Sequence, residues 1–174
     1  MTAALESDFI LKDGTAVHIR PIRPEDDHAL IGIFNRLSPQ TVYQRFFQAL
    51  PELSPGMAQY LANAHYTNRM ALLAEAGGDV IGVGRYERTT NPGVADLGLV
   101  VLDEWQNLGL GRILLKEILK VGKSNGIQQF RADVLAENRR MLRLLAQESQ
   151  ILDRKTEAGV ASLLIEPHPG TITT

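Results

Sequence analysis

The amino-acid sequence predicts one α/β domain built on a mixed, twisted sheet of six or seven strands with helices on both faces. The chain has 174 residues, close to the length of one average domain. Its first apolar segments recur mainly at helical spacing, and from residue 70 short β-type runs take over. The second half then alternates strands with helices, an order that requires parallel strands beside the antiparallel ones. We expect the domain to span residues 15–166, with residues 1–14 and 167–174 as flexible ends.

The first half predicts one strand followed by three helices. Residues 15–22 alternate between apolar and polar side chains, which is typical of a strand. Pro24 and the acidic residues after it match the start of a helix, and apolar side chains recur at helical spacing as far as Leu37. Ser38 and Pro39 predict the start of a second, short helix. A third helix is expected over residues 54–64.

The second half predicts five strands and two helices. Two short apolar runs flank Gly77, Gly78 and Asp79, and this arrangement indicates a hairpin. The remaining expected elements are a strand at 95–102, a helix at 109–123, a strand at 128–135, a helix at 137–147 and a strand at 158–165. We expect the strands around 97–102 and 128–135 to be parallel neighbours joined by the helix 109–123.

The composition excludes several classes of protein. The sequence contains no cysteine, so disulfide scaffolds, thiolate metal sites and cysteine nucleophiles are excluded. The formal net charge of -2 gives no electrostatic attraction toward nucleic acid. Apolar runs are too short to cross a membrane, the N-terminus lacks the pattern of a signal peptide, and the histidines show no metal spacing. We therefore expect a cytoplasmic protein without metal, nucleic-acid or membrane partners.

A glycine-containing segment between a strand and a helix is the strongest candidate for a binding site. Gly109 and Gly111 allow the backbone to curl so that several N–H groups converge at a helix N-terminus, which suits a pyrophosphate. A plain glycine turn remains the alternative. A dinucleotide fingerprint would need a glycine where Leu114 stands, and a Walker loop would need one at Glu117.

The wider pattern around these glycines resembles a known superfamily. Leu99, Val100 and Val101 on a strand, followed by Gln106-x-x-Gly109-x-Gly111 and a helix, resemble the acetyl-CoA signature of the GNAT N-acetyltransferases. Residues 19–26, 37–39, 45–47, 70–72 and 136–142 are similar to the Pat-like bacterial protein lysine acetyltransferases. The similarity covers roughly residues 15–147. It implies direct acetyl transfer from acetyl-CoA to an amine, without a covalent enzyme intermediate.

The resemblance also implies a set of coenzyme-binding residues. The backbone of Leu99, Val100 and Val101 would pair with the amide groups of the pantetheine arm. Asn138, at the start of the last helix, would face the coenzyme, while Arg139 and Arg140 either meet its phosphates or lie on the helix surface. The residues expected to surround the pyrophosphate are Gln106, Asn107, Leu108, Gly109, Leu110, Gly111 and Arg112.

The expected general base is Asp96, which aligns with a glutamate of the Pat-like enzymes. Aspartate is one methylene shorter, so a water relay to the amine is favoured over direct contact. The alternative is that Asp96 caps a turn or pairs with an arginine, and Glu87 is the reserve candidate. The chain departs from the family at Leu145, where many members carry a tyrosine acid, and at residues 147–150, where relatives show a Gly-Phe pair.

The Pat-like stretches favour a protein lysine as the acceptor. Two other interpretations stay open: an enzyme acting on a small amine, and a weakly active acyl-CoA-binding regulatory module. Asp96 and the missing tyrosine favour the last of these. The sequence is compatible with a monomer or a homodimer.

Overall fold

A single eight-stranded sheet with helices on both faces organises residues 5–169, which are the residues described by the computed structural model. The order across the sheet is β1-β2-β3-β4-β5-β6-β8-β7. The strands are β1 Ser7–Ile10, β2 Ala16–Pro21, β3 Arg69–Ala76, β4 Asp79–Arg88, β5 Val94–Val101, β6 Gln129–Leu135, β7 Ser149–Glu157 and β8 Val160–Pro167. The helices are α1 Asp27–Arg36, α2 Pro39–Phe46, α3 Pro55–Ala62, α4 Leu110–Ser124 and α5 Arg139–Glu148. The predicted α/β class is confirmed.

Two strands lie where the sequence predicts none, which raises the number from six or seven to eight. Ser7–Ile10 pairs with β2, although residues 1–14 were expected to be flexible. At only four residues, β1 is too short for a periodic pattern. Ser149–Glu157 is almost wholly exposed, so it carries no apolar alternation, and it forms by pairing with β8. Residues 1–4 and 170–174 of the expected flexible ends lie outside the described residues.

Serine caps begin two of the helices where the sequence predicts them. The Ser38 hydroxyl accepts a hydrogen bond from the Thr41 N–H at 3.2 Å, and the Ser54 hydroxyl accepts one from the Met57 N–H at 3.2 Å. A proline follows each serine, with no N–H to leave unpaired in the first turn. At Pro24, by contrast, the chain first makes a short 3₁₀ turn, and α1 begins at Asp27.

The central feature of the sheet is the parting of β5 and β6. These strands pair in parallel at three positions, the last being Asp96 with Arg131, and α4 joins them as predicted. Beyond that point β5 continues along β4 as far as Val101, while β6 continues along β8 as far as Leu135. A cleft therefore opens between two strands of one sheet.

An aromatic contact fixes α4 beneath this sheet. The rings of Tyr86 on β4 and Phe130 on β6 meet edge to face with centroids 6.2 Å apart. The Asn125 side-chain amide donates to the Tyr86 hydroxyl at 2.7 Å, and that hydroxyl donates to the Thr67 carbonyl at 2.9 Å. Gly122 leaves room for both rings, because a Cβ there would lie 2.5 Å from the Phe130 ring.

A buried ion-pair cluster ties β2 and β3 to the start of α1. The Arg20 guanidinium donates two hydrogen bonds of 2.8 Å to Asp26 and one of 2.8 Å to Glu75. Burial alone would raise the pKa of Asp26, but the hydrogen bonds from Arg20 and from the Arg23 N–H outweigh it and lower that pKa. The charged form of Asp26 is therefore stabilised by the fold.

Replacing Asp26 by asparagine should remove a pH-dependent part of the stability. Because the folded-state pKa is lowered, this contribution is fully present above the unfolded pKa and is lost as the pH falls through the folded one. We expect Asp26→Asn to cost about 3 kcal/mol near neutral pH, since Arg20 loses a buried partner. Urea denaturation between neutral and acidic pH would measure this cost. The control Asp153→Asn, on the exposed face of β7, should shift the free energy of unfolding by under about 0.5 kcal/mol.

Gly122 and Gly32 should respond in opposite ways to alanine. In α4, Gly122→Ala gains helix propensity but pushes a methyl group into Phe130, and overpacking costs about 1–3 kcal/mol. In α1, the Cβ of Gly32→Ala meets no atom within 4 Å, so about 0.5–1 kcal/mol should be gained. Thermal unfolding of both variants would compare them. A stabilised Gly122→Ala would contradict the proposed packing.

Candidate active site

The cleft between β5 and β6 is a cavity of about 780 Å³ that reaches from the glycine loop before α4 to the carboxylates on β4 and β5. Helices α2 and α5 contribute side chains to its walls. A cavity of this volume is large enough for a coenzyme. The parting of the strands thus produces a long groove rather than a closed hole.

The free edge of β5 forms one side of the groove. Leu99, Val100 and Val101 all line it, beyond the last residue that pairs with β6. The Val101 carbonyl accepts a hydrogen bond from the Gln106 side-chain amide at 3.0 Å. The structure therefore brings the predicted pantetheine-binding strand and the predicted loop together, and one carbonyl of that strand already has an internal partner.

The loop before α4 adopts the backbone conformation that an anion site requires. Asn107 and Gly109 both have left-handed φ angles, of 64° and 93°. Helix α4 begins at Leu110, so the N–H groups of Leu110, Gly111 and Arg112 have no acceptor within the helix. Leu108 and Leu110 pack in the core and, unlike the other five predicted loop residues, do not line the groove. This geometry is an anion cradle at a helix N-terminus.

Two cationic residues support this loop from other parts of the chain. The Lys12 N–H donates to the Leu108 carbonyl at 3.1 Å, and its side chain runs 3.7 Å from the place of a Cβ on Gly109. The Arg140 guanidinium donates to the side chains of Asn107, at 3.0 Å, and Gln106. The sequence indicates no role for Lys12, because it lies in a stretch without periodicity. For Arg140 the sequence leaves two roles open, contact with the coenzyme phosphates or a position on the helix surface.

Two predicted coenzyme residues have structural partners of their own. Arg112 forms an ion pair with Glu148 on α5, whose side chain is only 5% exposed. The Asn138 side-chain oxygen accepts a hydrogen bond from the Met141 N–H at 3.2 Å and caps α5. Both residues nevertheless line the groove. Their side chains help to hold α5 in place beside the loop.

Two carboxylates face each other at the other end of the groove. Asp96 on β5 pairs in register with Glu87 on β4, so the two side chains share one face of the sheet. The Nε of Arg131 on β6 donates to one Asp96 oxygen at 2.9 Å, its Nη2 lies 2.9 Å from the same oxygen, and each side chain is 57% exposed. The Tyr60 hydroxyl donates to Glu87 at 3.1 Å. Asp96 thus lines the groove and also forms the ion pair that the sequence left as an alternative.

Two arginines lie on this same face without appearing among the predicted site residues. Arg85 on β4 is the register partner of Gly98, and the guanidinium of Arg45 from α2 lies over Gly98. A Cβ at Gly98 would be 2.6 Å from Nη2 of Arg45. Burial lowers the pKa of Arg45, and burial together with the charges of Arg45 and Arg69 lowers the pKa of Arg85 to about 10. Only the folded sheet brings these two side chains together.

Positive charge predominates along the groove. Among the described residues, seven basic and three acidic side chains line it. Four of the basic residues lie toward the loop and α5, namely Lys12, Arg112, Arg140 and Arg143. The other three lie on the sheet face, Arg45, Arg85 and Arg131, with the acids Glu87, Asp96 and Asp133. The groove is therefore suited to a ligand that is anionic overall.

Two kinds of feature are absent from residues 5–169. No group of three or more histidine or acidic side chains is placed to hold a metal ion within that range. In the same range, no helix combines the length and apolarity needed to cross a membrane.

Comparison with known proteins identifies the family. The family model described as "Acetyltransferase (GNAT) family" matches residues 33–148, more than half of the chain. Acetyltransferase PA5475 of Pseudomonas aeruginosa is 34% identical over 146 residues, covering 80% of this chain and 78% of that protein. The acetyltransferase Pat of Mycolicibacterium smegmatis is 25% identical over 162 residues, covering 91% of this chain but only 48% of Pat.

A solved structure agrees with these sequence relatives. The GNAT domain of S. lividans PAT superimposes with a TM-score of 0.88 at 29% identity, covering 95% of this chain and 99% of that domain. The parted strands, the glycine loop and the family match lead to one conclusion. The chain belongs to the GNAT family of acetyltransferases.

Proposed function

We propose that the protein transfers the acetyl group of acetyl-CoA directly to the side-chain amine of a protein lysine. The observation that carries this proposal is the groove with an anion cradle at one end and two carboxylates at the other. An extended coenzyme would lie between these ends, with its phosphates at the loop and its thioester toward Asp96. The likeness to the GNAT domain of Pat supports a lysine acceptor.

The loop and the β5 edge would hold acetyl-CoA in an extended form. The N–H groups of Leu110, Gly111 and Arg112 would donate to the pyrophosphate, and Lys12 and Arg140 would add positive charge beside it. Leu99 and Val100 would pair with the pantetheine amides as an added strand does. A backbone N–H of β5 would also stabilise the charge that develops on the acetyl oxygen.

Proton removal would fall to the carboxylates at the far end of the groove. A lysine side chain is an ammonium ion at neutral pH and must lose a proton before it attacks. We assign the base to Asp96, acting through a water, with Glu87 next to it across the strands. The Nε of Arg131 donates a hydrogen bond of 2.9 Å to the Asp96 carboxylate and so fixes its orientation in the groove. The leaving thiolate would take its proton from water, since Leu145 is fully buried.

The ion pair between Asp96 and Arg131 favours a second candidate, a weakly active acyl-CoA-binding module. The two candidates differ in turnover. Incubation with acetyl-CoA, candidate protein substrates and an amine panel would follow free CoA release, with mass spectrometry to locate the acetyl group. Acetylated lysine supports the proposal, and coenzyme binding without turnover supports the module.

A glutamate at position 111 should abolish coenzyme binding. A Cβ on Gly111 would project between Leu144 of α5 and Leu99 of β5, so Gly111→Glu brings bulk and negative charge into the groove. Binding of CoA should raise the melting temperature of the wild-type protein by mass action, and this shift should disappear in the variant. The control Gly56→Glu makes the same change at an exposed position in the first turn of α3 and should keep the shift. An unaltered shift in Gly111→Glu would place the coenzyme elsewhere.

Removing the proposed base should reduce turnover far more than coenzyme binding. We expect Asp96→Asn to lower kcat/KM by about 10²–10⁴-fold, the usual effect of losing a general base. The CoA-induced melting shift should change little, because Asp96 lies at the end of β5 away from the loop. Asp96→Glu should keep activity if the longer side chain fits, and Asp79→Asn at the exposed start of β4 is the control. Full activity in Asp96→Asn combined with loss in Glu87→Gln would move the base to β4.

A further inference from the structure

The proposed coenzyme leaves two charges in the groove unexplained. Arg45 and Arg85 lie at Gly98, four residues before the end of the predicted pantetheine strand at Leu102. That distance along a strand is about 13 Å, too far for a pyrophosphate bound at the loop. The pantetheine arm and the thioester that would pass Gly98 are uncharged. These arginines therefore have no anionic partner in acetyl-CoA.

The protein itself does not neutralise them either. Among residues 5–169, Arg45 has a contact with the Phe46 ring at 5.1 Å but no hydrogen bond or ion pair. Arg85 donates one hydrogen bond of 3.1 Å to the Leu61 carbonyl. The nearby carboxylates bind other groups, Glu87 with Tyr60 and Asp96 with Arg131. Both arginines are partly exposed and line the groove, so an anionic group of a ligand would meet charged hydrogen-bond donors there.

The sheet is shaped to let Arg45 reach this position. A side chain at Gly98 would collide with the Arg45 guanidinium, at 2.6 Å from Nη2 and 2.8 Å from Cζ. Glycine therefore brings a cation from α2 into contact with the strand that the thioester would follow. Arg85 is the register partner of Gly98 on the neighbouring strand and also lines the groove.

We propose that Arg45 and Arg85 bind an anionic group of the acceptor, so that the preferred acceptor is an amine carrying a carboxylate group. This inference rests on the proposed function and names the chemistry of its substrate. Gly98 is two residues from Asp96, about 7 Å along β5, so the anion and the reacting amine are a few bonds apart. The anion is an acidic residue beside the target lysine, or the carboxylate of a free amino acid.

One competing role for the arginines makes a different kinetic prediction. If they only stabilised charge on the acetyl oxygen, their loss would lower kcat equally for every acceptor. If they bind an acceptor anion, their loss should raise KM for anionic acceptors and leave neutral analogues unaffected. Matched pairs of acceptors therefore separate the two roles.

The test compares wild-type protein with Arg45→Gln and Arg85→Gln on two acceptor pairs. One pair is β-alanine and β-alaninamide, and the other is a lysine peptide with glutamate or glutamine next to the lysine. The wild type should prefer the anionic member of one pair by tenfold or more in kcat/KM, as expected for a charged hydrogen bond. The pair that shows the preference identifies the source of the anion. Both variants should lose this preference through KM.

Control variants separate a loss of acceptor preference from a loss of folding. Arg154→Gln, at an exposed position on β7, should retain the preference, and the CoA-induced melting shift should persist in each variant. If a glutamine variant fails to fold, Gly98→Ala offers a second route, because it displaces the Arg45 guanidinium without removing its charge. That variant should lose part of the preference.

Three results would overturn the inference. Equal kcat/KM for both members of both pairs in the wild type shows that no anion is recognised. An equal loss for both members in the variants shows that the arginines act on the reaction itself. Acetylation of no acceptor at all, with CoA binding intact, rejects the proposed function, and the inference falls with it.

Discussion

The parting of β5 from β6 after Asp96 is the constraint on which the rest of this structure depends. Three paired positions hold the strands together, and each then follows a different neighbour. Normally a central strand uses its backbone on both sides. Here one side of β5 has no strand partner beyond Asp96, and the α4 N-terminus stands at the end of the opened groove. The contact between Tyr86 of β4 and Phe130 of β6 packs on Gly122 and holds α4 beneath these two strands.

Charge is distributed along the groove in two separate regions. At the loop, Lys12 and Arg140 surround an anion cradle, and the phosphates of a coenzyme match that charge. On the sheet face, Arg45 and Arg85 lie near Gly98, where the proposed ligand would be uncharged. A protein that needed only to hold acetyl-CoA would gain nothing from the second region. We therefore assign this second region, Arg45 and Arg85, to binding of the acceptor amine.

The sequence was sufficient to predict the local features and insufficient for those that depend on distant contacts. Three features depend only on residues that are close together in the sequence: the serine caps, the Gly109-x-Gly111 turn and the amphipathic pattern of α4. The structure contains all three. Strand β7 was not predicted because it forms by pairing with β8 and not from its own sequence pattern. A turn in which Ala158 and Gly159 have left-handed φ angles joins the two strands.

The arginine pair escaped prediction for a related reason. Arg45 belongs to a stretch that resembles the Pat-like enzymes but has no predicted role in the site, and Arg85 falls in a run that predicts a strand. The position of Arg45 requires α2 to pack on β5 and Gly98 to be without a side chain, which only the tertiary structure shows. Asp96 both lines the groove and accepts a hydrogen bond from Arg131. This arrangement depends on the register of β5 against β6, which the sequence does not show.

The hydrogen bond from Lys12 to Leu108 joins the beginning of the chain to the loop before α4. Strand β1 and the loop are thereby parts of one thermodynamic system, although nearly a hundred residues separate them. Linkage is reciprocal: if docking of the N-terminal segment strengthens anion binding by some factor, anion binding strengthens docking by the same factor. Coenzyme supply would then set how firmly the first strand is held against the sheet.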